Sequence, residues 1–365
     1  MSLEVLPGVV NIDHKSSTPG KPYGIITADC SSPRELDDGI FVEQIPNVKE
    51  AYRVGVCVVD ASKLYTDPDI LAYAMKVTEA KYWPLPNGEK GYDPMIDSDL
   101  IKQFEFTAPN VRDALIVSFT VGKETPLSDI DISFGKVEVR RNDSYRDFWK
   151  RCATDGPDKK FIRASALIIR HLQYTSGGDY DYEPGQSFGQ IYDRLVSGRY
   201  GHWLKGSRIN ESFMVAANFL VGKTLAEEQR PAIYRVHDPT DETHLELVPP
   251  NVARYSRTPG QHQGLNLDVY CRVTSPLRRL EDYVMSYQLK QRSLGRAATV
   301  KDVHDVARSV LALNRRVVQQ AAEDPTRLSR KDTLGRNFRL LSAVPEEDDD
   351  GVVVPLQGRL IAETA

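Results

Sequence analysis

Four carboxylates stand within ten positions of this chain: Asp29, Glu35, Asp37 and Asp38, in Asp29-Cys30-Ser31-Ser32-Pro33-Arg34-Glu35-Leu36-Asp37-Asp38. Like charges this close repel by about 1 kcal/mol per pair even in water. A solvated surface loop removes that cost, and so does a bound cation. The flanks favour the cation. Ile25-Ile26-Thr27-Ala28 and Ile40-Phe41-Val42 read as short buried strands, with Pro33 breaking regular structure between them. Carboxylates on a turn between core strands are held in place, and hard oxygen ligands of this kind suit Mg²⁺ or Mn²⁺. The spacing is not that of the calcium EF-hand loop. A solvated acidic loop is the plainer alternative.

Thr274-Ser275-Pro276-Leu277-Arg278-Arg279 is the second informative stretch. Ser275 is suited to cap a helix and Pro276 to occupy its first position. Arg278 and Arg279 would then lie in the first turn, where the helix dipole disfavours cations by roughly 0.3–1 kcal/mol each. An anion offsets this: a carboxylate from elsewhere in the fold, or a substrate phosphate. A local ion pair to Glu281 or Asp282 would do the same.

The elements that must position these residues change character along the chain. Tyr52–Asp60 reads as a central strand buried on both faces, and 112–121 and 134–139 as further strands. Asp67-Pro68 starts a helix, and 82–88 is an aromatic loop. Beyond residue 140 the periodicity is helical, at 161–172, 209–228 and 300–323, the last opening on a Thr299 cap with Asp302 three positions on. Strands first and helices after favour an α+β domain.

The 365 residues are 41% apolar and 27% charged, a globular composition. No apolar run is long enough to span a membrane, and no secretory signal opens the chain. Cys30, Cys57, Cys152 and Cys271 are scattered, which argues against structural zinc and fits a reducing cytoplasm. The net charge of −4 does not by itself suggest a nucleic-acid binder, but its distribution is uneven. Residues 1–135 hold 12 Lys and Arg against 21 Asp and Glu, while residues 251–340 hold 17 against 8. The acidic and basic thirds could neutralise each other, or set a metal site against a phosphate-binding wall.

Together these stretches resemble the RNB catalytic domain of the ribonuclease II and ribonuclease R exoribonucleases. The family's Asp, five residues, acidic residue, one residue, Asp-Asp pattern is matched by Asp29, Glu35, Asp37 and Asp38. Its second signature is matched by His262-Gln263-Gly264-Leu265, Tyr270 and Thr274–Arg279. Glu211–Asn218 and Tyr234-Arg235-Val236-His237 resemble two further family motifs. The resemblance implies an N-terminal extension at 1–19, an RNB-like catalytic domain at 20–340 and an acidic C-terminal tail at 341–365.

The family implies Mg²⁺-dependent hydrolysis of single-stranded RNA from its 3′ end, releasing nucleoside 5′-monophosphates, with Mn²⁺ a possible substitute. By position, Asp29, Glu35, Asp37 and Asp38 would hold the metals and Arg278 would neutralise the scissile phosphate. Tyr82 falls where the family stacks a tyrosine on the terminal bases; Tyr145, Arg279 and Glu323 match other substrate-binding positions. Glu35 replaces the usual Asp, Ser212 a common Glu, and Leu280 a Tyr. Typical members also carry OB-fold RNA-binding domains, which leaves room for a partner or oligomer supplying RNA-binding surface. The alternatives are a metal-dependent hydrolase of an RNA end, aminoacyl-RNA or small metabolite, and a catalytically weak RNA-binding protein.

Overall fold

Apolar runs in the first third of the chain pair into a barrel, and the acidic turn sits at its rim. The computed structural model describes residues 22–31, 33–84, 90–173, 185–198, 201–237, 252–323, 346–347 and 353–354. Strands β1 (Tyr23–Asp29), β2 (Asp38–Gln44) and β3 (Ala51–Val59) pair antiparallel in sequence. Helix α1 (Pro68–Val77) leads to the hairpin β4 (Lys81–Pro84) and β5 (Lys90–Asp93), then to helix α2 (Ser98–Phe104). The long strands β6 (Asn110–Gly122) and β7 (Ser128–Ser144) return to β3, and β7 pairs parallel with β1. The barrel order is β1-β2-β3-β6-β7. Closure leaves none of these strands as a free edge. In β3 all residues but Arg53 are buried, as expected for a strand with both faces covered.

The rest is helical and packs against the barrel: α3 (Tyr145–Ala153), α4 (Lys159–Leu172), α5 (Phe188–Ser197) and α6 (His202–Glu227). A short ladder, β8 (Tyr234–Val236) with β9 (Arg254–Ser256), precedes α7 (Leu280–Ser293) and α8 (Val300–Glu323). Thr299 and Asp302 cap α8 reciprocally, as its sequence predicts. The architecture is α+β, with strands leading and helices following.

Three expectations needed correcting. Tyr82 and Trp83 lie on strand β4 rather than in a loop, because Tyr82 and Trp83 pair with Tyr92 and Gly91 across the hairpin. Helix α6 starts at His202, about two turns before the apolar periodicity suggests. Its Gly206 permits this: a Cβ there would fall 1.9 Å from the carbonyl oxygen of Tyr145, so only glycine lets α6 pass so close to α3. Helix α7 starts at Leu280, not at Pro276. One turn does form there, with Ser275 O accepting from Arg278 N and Arg279 N, but it goes no further because Leu280 N donates to Thr78 O and Arg278 O accepts from Ala80 N. In the acidic tail, Glu346–Glu347 pairs with Val353–Val354.

Candidate active site

Register places the acids. Asp29 is the last residue of β1 and Asp38 the first of β2, so the two antiparallel strands present them at the same barrel end. Asp29 also lies in register with Ser144 of β7, and Tyr145 follows at the start of α3. Tyr145 therefore reaches the acids through sheet pairing, although 116 positions separate it from Asp29. Burial raises the Tyr145 phenol well above its usual range, and the nearby Asp29 and Asp38 add to that.

The connection between β1 and β2 turns the remaining acids in different directions. Asp37 Oδ1 accepts from Leu277 N at 2.9 Å, and Oδ2 accepts from Arg278 Nε at 3.2 Å. Glu35 accepts from Tyr82 Oη at 2.6 Å and also from Tyr92 Oη. Asp38 is 9% exposed and its Oδ2 is buried without a hydrogen-bond partner; Asp29 Oδ2 is likewise buried and unpartnered. Buried carboxylate oxygens without donors are costly unless something cationic joins them. Such oxygens, one on Asp29 and one on Asp38, are of the hard type that suits a divalent cation. Among the described residues, however, no three His, Cys, Asp or Glu side chains are grouped so as to hold a metal ion.

Electrostatics agree with that open arrangement. Burial pushes the Asp37 carboxyl up to about 8, against the lowering effect of Arg278 and with Glu35 adding to the rise. Burial likewise lifts Asp38 to about 6, opposed by Arg278, Arg279 and Asn210. Asp29 is raised well above the ordinary carboxylate range by burial and by Asp38. Without a cation these acids hold protons that they would release in the unfolded chain. Stability from that source is full below the unfolded carboxylate value near 3.9 and is lost as pH rises through about 6 and about 8. Thermal melts in excess chelator should therefore drop by roughly 5 °C or more between pH 5 and pH 9. Mn²⁺ should flatten the curve by taking the protons' place. A midpoint independent of pH in chelator would contradict this account.

Arg278 and Arg279 part ways. Arg279 takes the local pairing, with Nε 2.9 Å from Asp282 Oδ2, so its guanidinium is committed beside the site rather than in it. Arg278 instead reaches Asp37, 241 positions away, and its Nη2 donates to Ser275 Oγ at 2.8 Å. About 30% of the Arg278 side chain stays exposed, against 2% for Asp37. The cation thus bridges the buried acids and the surface. Glu323 closes α8, and its side chain lies outside the described residues.

Two contributors escaped the sequence reading. Asn210 of α6 donates to the Ala28 carbonyl at 3.3 Å, and its side chain opposes the upward shift of the Asp38 carboxyl. It stands immediately before Glu211, which could have pointed to it; Glu211 itself pairs with Arg208 within α6. Tyr92 was invisible without the hairpin register. The remaining motif residues hold the Arg278 loop in place. Asn218 Oδ1 accepts from Val273 N at 3.0 Å, and its amide nitrogen donates to Tyr270 Oη at 3.0 Å. His262 Nδ1 accepts from Leu265 N, and burial with the nearby Arg235 keeps its ring neutral.

This arrangement can be set beside known proteins. A family model described as the RNB domain matches residues 247–293, the stretch that carries Arg278. The chain is similar to Exoribonuclease 2 of Enterobacter sp. (strain 638), with 24% identity over 82% of this chain and 54% of the relative. In three dimensions it is similar to Mycoplasma genitalium RNase R in complex with ribose-methylated single-stranded RNA, at a TM-score of 0.62 and 16% identity, covering 91% of this chain and 60% of that one. The fold is of the RNB type. It is also similar to yeast Ssd1, described as a pseudonuclease, at a TM-score of 0.59 and 13% identity, over 82% of this chain and 43% of that one. The chain spans about half the length of the curated relatives it matches. The RNB fold therefore occurs both with and without nuclease activity among structures similar to this one.

Among the described residues, no helix is long and apolar enough to cross a membrane.

Proposed function

We propose that this RNB domain is an exoribonuclease that hydrolyses single-stranded RNA from the 3′ end and releases nucleoside 5′-monophosphates, with Mg²⁺ as cofactor. The observation that carries the reading is the meeting of Asp29, Asp37 and Asp38 with Arg278 at one barrel end, two of the carboxylate oxygens being buried and unpartnered. Asp29, Asp37 and Asp38 would hold the Mg²⁺, which supplies Lewis-acid activation of water and of the leaving oxygen. Arg278 neutralises charge growing on the scissile phosphate from a position already fixed by Asp37 and Ser275. Tyr82 offers a ring to a terminal base, a contact that tolerates any base. Tyr145 follows Ser144, the register partner of Asp29, and holds Trp203 edge-on at 5.5 Å. Arg279, bound to Asp282, adds positive potential at Asp38 without leaving its partner.

The experiment is incubation of the chain with end-labelled oligo-RNA and Mg²⁺, with products resolved by length. Progressive shortening of a 5′-labelled strand, absent in chelator, is the expected result. Internal cuts, or turnover that persists in excess chelator, would defeat the reading. Tight RNA binding with no cleavage at any divalent cation would favour the second reading, an RNA-binding protein without catalysis, which the likeness to a pseudonuclease supports.

A further inference from the structure

Glu35 stands among the acids in sequence but not in its contacts. Its side chain is 7% exposed, and each carboxylate oxygen accepts from a different tyrosine, Tyr82 and Tyr92. Those tyrosines are direct cross-strand partners on β4 and β5, with ring centroids 5.4 Å apart and planes inclined by 32°. Side chains alternate across a strand, so both rings lie on one face of the hairpin and Trp83 on the other. Gly91 opposite Trp83 is what allows this, since a Cβ there would fall 2.1 Å from the indole. The hairpin stem is tied to the Arg278 loop by the bond from Ala80 N to Arg278 O, 2.9 Å. Glu35 is thus the bridge from the acidic turn to the hairpin.

Resting on the function proposed above, we propose that Glu35 is a positioning residue for the tyrosine pair rather than a metal ligand. Its carboxylate fixes the Tyr82 and Tyr92 hydroxyls, and so sets the Tyr82 ring as a rigid platform for the terminal nucleobase of RNA. Chain length decides the matter: a glutamate carries its carboxylate one methylene further than Asp37 and reaches the hairpin. Phenols are donors to a carboxylate, and a bond to a charged acceptor is stronger than a neutral one. Burial and Glu35 both hold the Tyr82 and Tyr92 phenols in the protonated, donating form. Asp29, Asp37 and Asp38 are left to serve the cation.

The test uses the full chain with Glu35→Gln, Tyr92→Phe, the double variant and Asp38→Asn. A glutamine oxygen can accept from one tyrosine, but its amide nitrogen cannot accept from the other. Mn²⁺ affinity measured without RNA should stay within about twofold of the parent in Glu35→Gln, and fall about tenfold or more in Asp38→Asn. The Raman doublet that reports tyrosine hydroxyl bonding should change in Glu35→Gln. Affinity for a short single-stranded oligo-RNA in chelator should weaken about fivefold in each of Glu35→Gln and Tyr92→Phe, and no further in the double variant, because the two act as one unit. With Mg²⁺, Tyr92→Phe should raise KM by about the same factor and spare kcat. A large loss of Mn²⁺ affinity in Glu35→Gln would make Glu35 a ligand and end the proposal, as would an unchanged Raman doublet. Should the parent bind no RNA, the function proposed above fails, while the Mn²⁺ and Raman measurements still decide the role of Glu35.

Discussion

Asp38→Asn is expected to lower RNA hydrolysis at saturating Mg²⁺ on the order of 10³-fold while the protein stays folded. Asparagine keeps the shape of the side chain and removes its charge, so a cation loses one anionic oxygen at a buried position. The parent Asp38 is 9% exposed with an unpartnered Oδ2, which leaves no solvent to compensate for the loss. The variant should also be as stable as the parent in chelator, or more so. Its Asn cannot ionise, so the part of the stability loss that accompanies ionisation near pH 6 disappears. RNA affinity in chelator should stay within about threefold, because Tyr82 and Arg278 are unaltered. Kinetics, melts and binding on one preparation separate these effects. Parental turnover by the Asn variant would remove Asp38 from the machinery.

The strands flanking the acidic turn were legible because their apolar runs are short, β-branched and bounded by breakers, as at Ile25–Ala28 and Ile40–Val42. The capped start of α8 was legible for a local reason too, since Thr299 and Asp302 bond each other. What failed depended on distant partners. Ser275-Pro276 carries every local signal of a helix start, and Ser275 O does accept from Arg279 N, yet the turn stops because Leu280 N goes to Thr78 O, while Leu277 N goes to Asp37, 240 positions away. The same tertiary bond settles the arginine question that local spacing left open, sending Arg278 to Asp37 while Arg279 stays with Asp282. Tyr145 near Asp29 follows from parallel pairing of β1 with β7, which no window of sequence contains. Glu35 looked like its neighbours because residue type and spacing report charge, whereas the direction of a carboxylate depends on what packs above it. Tyr92 had no signal until the register of β4 and β5 placed it opposite Tyr82.

Arg278→Ala is expected to lower kcat on the order of 10²- to 10³-fold with a much smaller change in RNA affinity. The guanidinium is held on one side by Asp37 at 3.2 Å and by Ser275 at 2.8 Å, and Nη1 makes no hydrogen bond among the described residues. A cation fixed before substrate arrives need not reorganise as charge develops on the phosphate, so its benefit falls in the transition state. Arg278→Lys should recover only part of the loss, because an ammonium is a point charge without the planar fork that spans two acceptors. Stability must be read alongside. Removing Arg278 leaves Asp37, 3% exposed, without its cation, so the metal-free variant should hold the Asp37 proton to still higher pH. Its melts in chelator should consequently depend on pH over a window reaching further to the alkaline side than the parent's. A variant with parental kcat and a lowered melting temperature would assign Arg278 to the ion pair alone. A fall in kcat at a temperature where the variant is fully folded, partly restored by lysine, would assign it to the phosphate.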